Sequence, residues 1–136
     1  MTKAYFIASL MLCLPSLLQA RTAPPPLTPD LFEKTWAVTA FDGKQGSDFV
    51  PIISFDGPSA FGDTGCETNW TARFSMNLPA VRFRDVEGDL KGCDDPVNAS
   101  RFLDALRKVR GSAAGEDGLE LRGPDGGRLL LLVAGG

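Results

Sequence analysis

The sequence predicts an α+β domain: a small curled antiparallel β-sheet, forming a partial barrel, packed against one α-helix and carrying one disulfide. Three observations predict it. Short segments with period-2 alternation recur along the chain, which is the pattern of half-buried strands. One segment alone has helical periodicity, and it falls between two runs of strands rather than alternating with them, which favours α+β over a βαβ order. Two cysteines, Cys66 and Cys93, remain once an N-terminal export segment is set aside.

The chain has 136 residues, a formal charge of −3 and 43% apolar residues, a composition suited to a single globular domain. It contains no histidine. That removes Ser-His and Cys-His nucleophile pairs, His-ligated zinc and imidazole acid–base chemistry together. The acidic balance also argues against nucleic acid, whose phosphates call for clustered Lys and Arg.

Residues 1–20 have the order of a secretory signal. Lys3 supplies the basic start, Tyr5 to Leu14 the apolar stretch, Pro15 its break and Ala20 the small residue before cleavage. Cys13 is preceded by leucine and lies inside the apolar stretch, the wrong context for lipidation. The reading is therefore a periplasmic or secreted protein, with no stable membrane anchor after cleavage. Cleavage after Ala20 leaves 13 basic and 17 acidic residues, a charge of −4. Residues 21–30 form a Pro-rich lead-in, and the folded domain is expected over 31–136.

Asp30 to Glu33 predict a helical turn. From Thr35 to Phe41, Trp36, Val38 and Ala40 fall on one strand face, and Phe41-Asp42-Gly43 is read as a turn. Ile52 to Phe55 is a second strand, Asp56 to Ser59 a turn, and Ala60 to Gly62 a weak third strand. Trp70, Ala72, Phe74 and Met76 alternate with Thr71, Arg73 and Ser75, giving a fourth. Val81 and Phe83 alternate with Arg82 and Arg84 in a fifth. The helix spans Pro96 to Arg110, with Asp95 as N-cap and Pro96 at its first position. Phe102, Leu103, Leu106 and Val109 make its apolar stripe, and Gly111 is the expected C′ residue. Leu119 to Arg122 and Arg128 to Val133 pair as a closing hairpin around a Gly- and Pro-rich loop.

An even cysteine count in an exported chain points to a structural disulfide between Cys66 and Cys93. A catalytic dithiol would more often be spaced C-x-x-C.

Taken in order, these features resemble the META domain, the HslJ-like family of small exported bacterial proteins. The resemblance runs from about Leu31 to Val133 and rests on several pieces. They are the Trp-bearing first strand with Gly43, Ile53-Ser54-Phe55, Gly65-Cys66, Cys93, the helix holding Phe102 and Leu106, and the Leu119-x-Leu121 hairpin. Two positions depart from the family pattern: Glu67 stands where it has asparagine, and Asp89 where threonine is frequent. The resemblance implies a small mixed-β domain tied to envelope stress, antibiotic tolerance or secretion. It implies no catalytic reaction and no cofactor.

Trp36, Trp70, Phe74, Met76 and Phe83 are the candidate ligand-pocket residues; the plainer reading makes them core. The acids Asp63, Glu67, Asp94 and Asp95 flank the two cysteines, but without the ligand spacing of a calcium loop they read as surface acids, with no metal assigned. They also lack a spacing that would define a glycosidase pair. Ser54 and Ser75 have no nucleophile motif around them. Arg73, Arg82 and Arg84 are expected on an outward, solvated face, and Asn69 and Asn98 head sequons that matter only in a glycosylating host. The leading expectation is a non-catalytic module that binds another envelope or secreted protein. The alternative is a carrier of a small hydrophobic or lipid ligand inside the sheet.

Overall fold

A computed structural model describes residues 25–41, 44–45, 48–116 and 118–135. The expected export segment, the first residues of the expected lead-in, and Asp42 and Gly43 of the expected turn lie outside the described residues. Among the described residues, nine strands and one helix follow a short 3₁₀ turn at Pro29–Glu33. The strands are β1 (Trp36–Phe41), β2 (Lys44–Gln45), β3 (Ile52–Asp56), β4 (Ser59–Asp63), β5 (Asn69–Asn77) and β6 (Ala80–Gly88). The helix α1 (Pro96–Lys108) comes next, then β7 (Gly111–Gly115), β8 (Gly118–Arg122) and β9 (Arg128–Ala134).

All strand pairs are antiparallel. The sheet order is β2-β1-β3-β4-β5-β6-β7-β8-β9, and β1 also pairs with β9, so the sheet returns on itself as a ring. The ring is thinnest between β6 and β7, where Ala80 opposite Gly111 is the sole register pair. The helix packs against β6 beside this thin seam. The Arg107 guanidinium donates to the Val86 carbonyl at 2.9 Å, meeting a backbone acceptor beyond the reach of β7.

Local chemistry accounts for the elements. In β5 and β6 the alternate residues Trp70, Ala72, Phe74, Val81 and Phe83 are buried, as period 2 requires. Thr39 breaks that alternation as a β-bulge against β9, so Ala40 and Phe41 are both buried. Phe41 therefore ends β1 as a core residue and pairs with Lys44 of β2, where the antiparallel partner strand begins. The helix is capped by Asp95, whose carboxylate accepts from the backbone and side-chain nitrogens of Asn98 at 3.3 and 2.8 Å.

Its end departs from expectation. The helix stops at Lys108 instead of Arg110, and Val109 is already extended. Gly111 is thus no C′ cap; it opens β7. The physical reason is tertiary. Val109 is fully buried, and the Val81 amide donates to the Arg110 carbonyl at 3.2 Å, so the chain is drawn into the sheet before a left-handed cap forms.

The core is one aromatic and aliphatic cluster. Phe32 from the 3₁₀ turn stacks on Phe74 at 5.5 Å and meets Phe55 edge-on at 5.4 Å. Phe74 contacts Phe83 at 5.2 Å, and Trp70 reaches Phe102 of the helix at 5.7 Å. Leu119, Leu121, Leu130 and Leu132 close the other side, all fully buried. Leu27, within the expected lead-in, also packs against this cluster.

Candidate functional site

The candidate pocket residues divide. Trp36, Trp70, Phe74 and Phe83 are 1–6% exposed and lie within the core. Both indoles are satisfied: Trp36 Nε1 donates to the Leu31 carbonyl at 2.8 Å and Trp70 Nε1 to the Ile52 carbonyl at 3.0 Å. Trp70 gets there by crossing Gly62. A Cβ at that position would stand 1.9 Å from the Ile52 oxygen and 3.1 Å from the indole nitrogen. Met76 is the exception and corrects the alternation-based expectation. It is 42% exposed, opposite Val81 next to the Leu78-Pro79 tip of the β5–β6 hairpin, where none of the described elements covers it. Period 2 gives the face of a strand but not where the sheet's cover ends.

Cys66 and Cys93 form the disulfide, with Cα atoms 5.0 Å apart across a sequence separation of 27. The loop holding Cys66 is organised by its own polar groups. Asp63 accepts from the Gly65 and Glu67 amides at 2.6 and 3.1 Å. The Thr64 amide donates to the Thr68 carbonyl at 2.8 Å, and the two threonine hydroxyls bond each other. Gly65 (φ +103°) and Glu67 (φ +66°) both take left-handed backbone conformations. An L residue pays for that, asparagine and glycine least.

This placement also separates the four acids that flank the cysteines. Asp63 shapes the cysteine loop and Asp95 caps the helix, while Glu67 and Asp94 border a shallow cleft of about 270 Å³ with Gly65, Cys66 and Gly92. The Asp94 carboxylate and the two sulfurs lie within 4.8 Å of one another, but the sulfurs are bonded together and the acid is exposed. A disulfide offers no thiolate to a metal.

Two larger clefts sit side by side at the thin seam of the ring. One, of about 340 Å³, is lined by Met76, Asn77, Ala80, Val81, Arg82 and Arg110 among others. Its neighbour, of about 380 Å³, shares Ala80 and Arg110 and adds Pro79, Gly111, Arg122 and Pro124. Sequence reasoning missed this place. Arg82 was visible as an outward strand residue, but Arg110 and Arg122 join it only through the pairing of β6 with β7 and of β7 with β8. Arg73 pairs instead with Asp85 at 3.4 Å, both highly exposed, and Arg84 stands opposite Arg73.

No protein-family model matches the chain, and no curated protein matches it. Among solved structures it is similar to one described as the NMR structure of the protein from Burkholderia xenovorans. The TM-score is 0.58 at 16% identity, over 84% of this chain and 92% of that one. At that identity the likeness speaks to fold alone.

Proposed function

We propose that this chain is an exported, non-catalytic interaction module of the META/HslJ-like kind, engaging another envelope or secreted protein in stress tolerance. The observation that carries this reading is the occupied interior. Four of the five aromatic and methionine candidates are buried in the core: Phe74 and Phe83 lie 5.2 Å apart, Trp70 meets Phe102 at 5.7 Å, and the indole N–H groups of Trp36 and Trp70 are bonded to backbone. A carrier needs an apolar hole of at least about 300 Å³ inside the sheet. Among the described residues, the clefts of about 300–380 Å³ lie at the surface and are open. Recognition therefore falls to the outside of the molecule. The disulfide fits an oxidising compartment, as export requires.

The test is site-specific photocrosslinking in the native host. A crosslinking residue is placed singly at exposed positions, including Ser75 and Asp104, and at buried Ser112 as control. The reading expects a discrete adduct with another protein from some exposed positions and none from Ser112. A chain that is exported and folded yet forms no protein adduct from any exposed position contradicts it.

A further inference from the structure

We infer that the seam between β6 and β7 is the docking site for an acidic segment of the partner protein, an inference that rests on the interaction-module reading above. Asn77 faces Ala80, Ala80 faces Gly111 and Gly111 faces Arg122, so these four form one row across β5 to β8. Val81 and Ser112 point into the core, which puts Ala80 and Gly111 on the outer face. The centre of the row thus carries one methyl group and one hydrogen where side chains would otherwise stand. The surface dips there.

Three arginines frame the dip. Arg82 lies two residues along β6 from Ala80, on the same face and exposed. Arg110 precedes Gly111, and one of its guanidinium nitrogens, Nη1, donates to the carbonyls of Arg107 and Val109 at 3.0 and 2.7 Å. Those bonds fix the group at the helix C-terminus. Arg122 stands at the far side, oriented by Glu120, whose Oε1 receives Nε and Nη2 at 3.2 and 2.9 Å. Glu120 neutralises part of this charge, and Asp125, in the bordering loop, is engaged with the Gly127 amide at 3.0 Å. Arg82 and the outer edge of Arg110 remain to meet an incoming anion. The walls between them are apolar, from Pro79, Ala80, Met76 and Pro124.

This combination selects the ligand. Planar guanidinium groups recognise carboxylates through paired N–H donors. The mature chain carries −4, so an acidic partner is repelled over most of the surface and attracted at this spot. Cleft volumes of 340 and 380 Å³ suit single side chains. The concave shape, between the Leu78-Pro79 hairpin tip and the Pro124 loop, does not suit a flat bilayer. An extended segment alternating acidic and apolar residues matches both the charge and the walls.

The experiment uses the oxidised mature protein and a capped hexapeptide alternating glutamate and leucine, with a glutamine-for-glutamate peptide as control. Binding is followed by backbone amide NMR shifts over a salt series. The inference expects shifts centred on Ala80, Gly111 and Arg110, binding that weakens as salt rises, and little response to the glutamine peptide. Arg82→Glu should weaken binding by about tenfold or more, the scale of a contacting charge turned repulsive. Arg84→Glu makes the same charge change away from the dip and should alter it less than about twofold. Both positions are exposed strand residues, and an unchanged amide spectrum elsewhere verifies the fold. Equal losses in the two variants would reduce the effect to diffuse electrostatics and overturn the inference. So would the absence of peptide binding, or Arg82-dependent binding to phosphatidylglycerol vesicles in its place. A host partner captured equally well by Arg82→Glu would overturn this docking site while leaving the interaction-module reading intact.

Discussion

Replacing both cysteines, as Cys66→Ser with Cys93→Ser, should lower stability by about 3.5 kcal/mol. The figure follows from the chain-entropy relation for a loop set by the sequence separation of 27, at 25 °C. For a domain of this size, each kcal/mol moves Tm by roughly 4 °C, so the melting temperature should fall by about 14 °C. The fold should survive the change. The Cys66 loop keeps Asp63 on the Gly65 and Glu67 amides, and the Cys93 side keeps the Asp95 helix cap; neither uses the sulfurs. The assay is thermal unfolding by far-ultraviolet circular dichroism, with oxidised wild type, reduced wild type and the double variant side by side. Reduced wild type and the variant should coincide, both with a native spectrum below the transition. A variant melting within about 3 °C of oxidised wild type would refute the loop-entropy reasoning. A variant without native spectrum at any temperature would refute the claim that the two loops are independently held.

Three further outcomes follow from packing and backbone geometry. Phe74→Ala, which opens a hole among Phe32, Phe55 and Phe83, should cost about 3–5 kcal/mol in urea unfolding, whereas Met76→Ala should cost under about 1 kcal/mol. Similar costs for the two would contradict the division of that strand into core and surface. Gly62→Ala should destabilise by about 3 kcal/mol or more, because its methyl would collide with the Ile52 carbonyl that Trp70 binds; Trp70 fluorescence should shift with it, and a wild-type emission spectrum and midpoint would sink the point. Glu67→Asn should raise stability by about 0.5–1 kcal/mol by easing a left-handed residue at φ +66°; a measured loss would mean that the glutamate side chain holds the loop in some other way.

Much of this fold was legible where one residue decides one contact. Alternation placed Trp70, Phe74, Val81 and Phe83 inward, and the Asp95-Pro96 pair located the helix start. What stayed hidden depends on pairing. β7 reads GSAAG, with little strand propensity of its own, and it is a strand because its residues meet β8 from Gly111–Arg122 to Gly115–Gly118. Gly111 looked like a helix cap because that is what a glycine after a basic helix end does in isolation. Met76 looked buried because period 2 continues past the point where cover stops. The arginine dip needed two registers at once, Ala80 on Gly111 and Gly111 on Arg122, and no local pattern encodes that. The acids beside the cysteines needed the loop geometry as well: Asp63 and Asp95 accept from nearby amides, while Glu67 and Asp94 border an open cleft.

The most direct test of the central claim, a filled domain that acts through its surface, is native mass spectrometry of the protein purified gently from its own host. The account predicts the bare disulfide-bonded mass, alone or in complex with another protein. A stoichiometric adduct of a few hundred daltons that dissociates only on unfolding would contradict it, and would return the interior aromatics to the role of a ligand pocket.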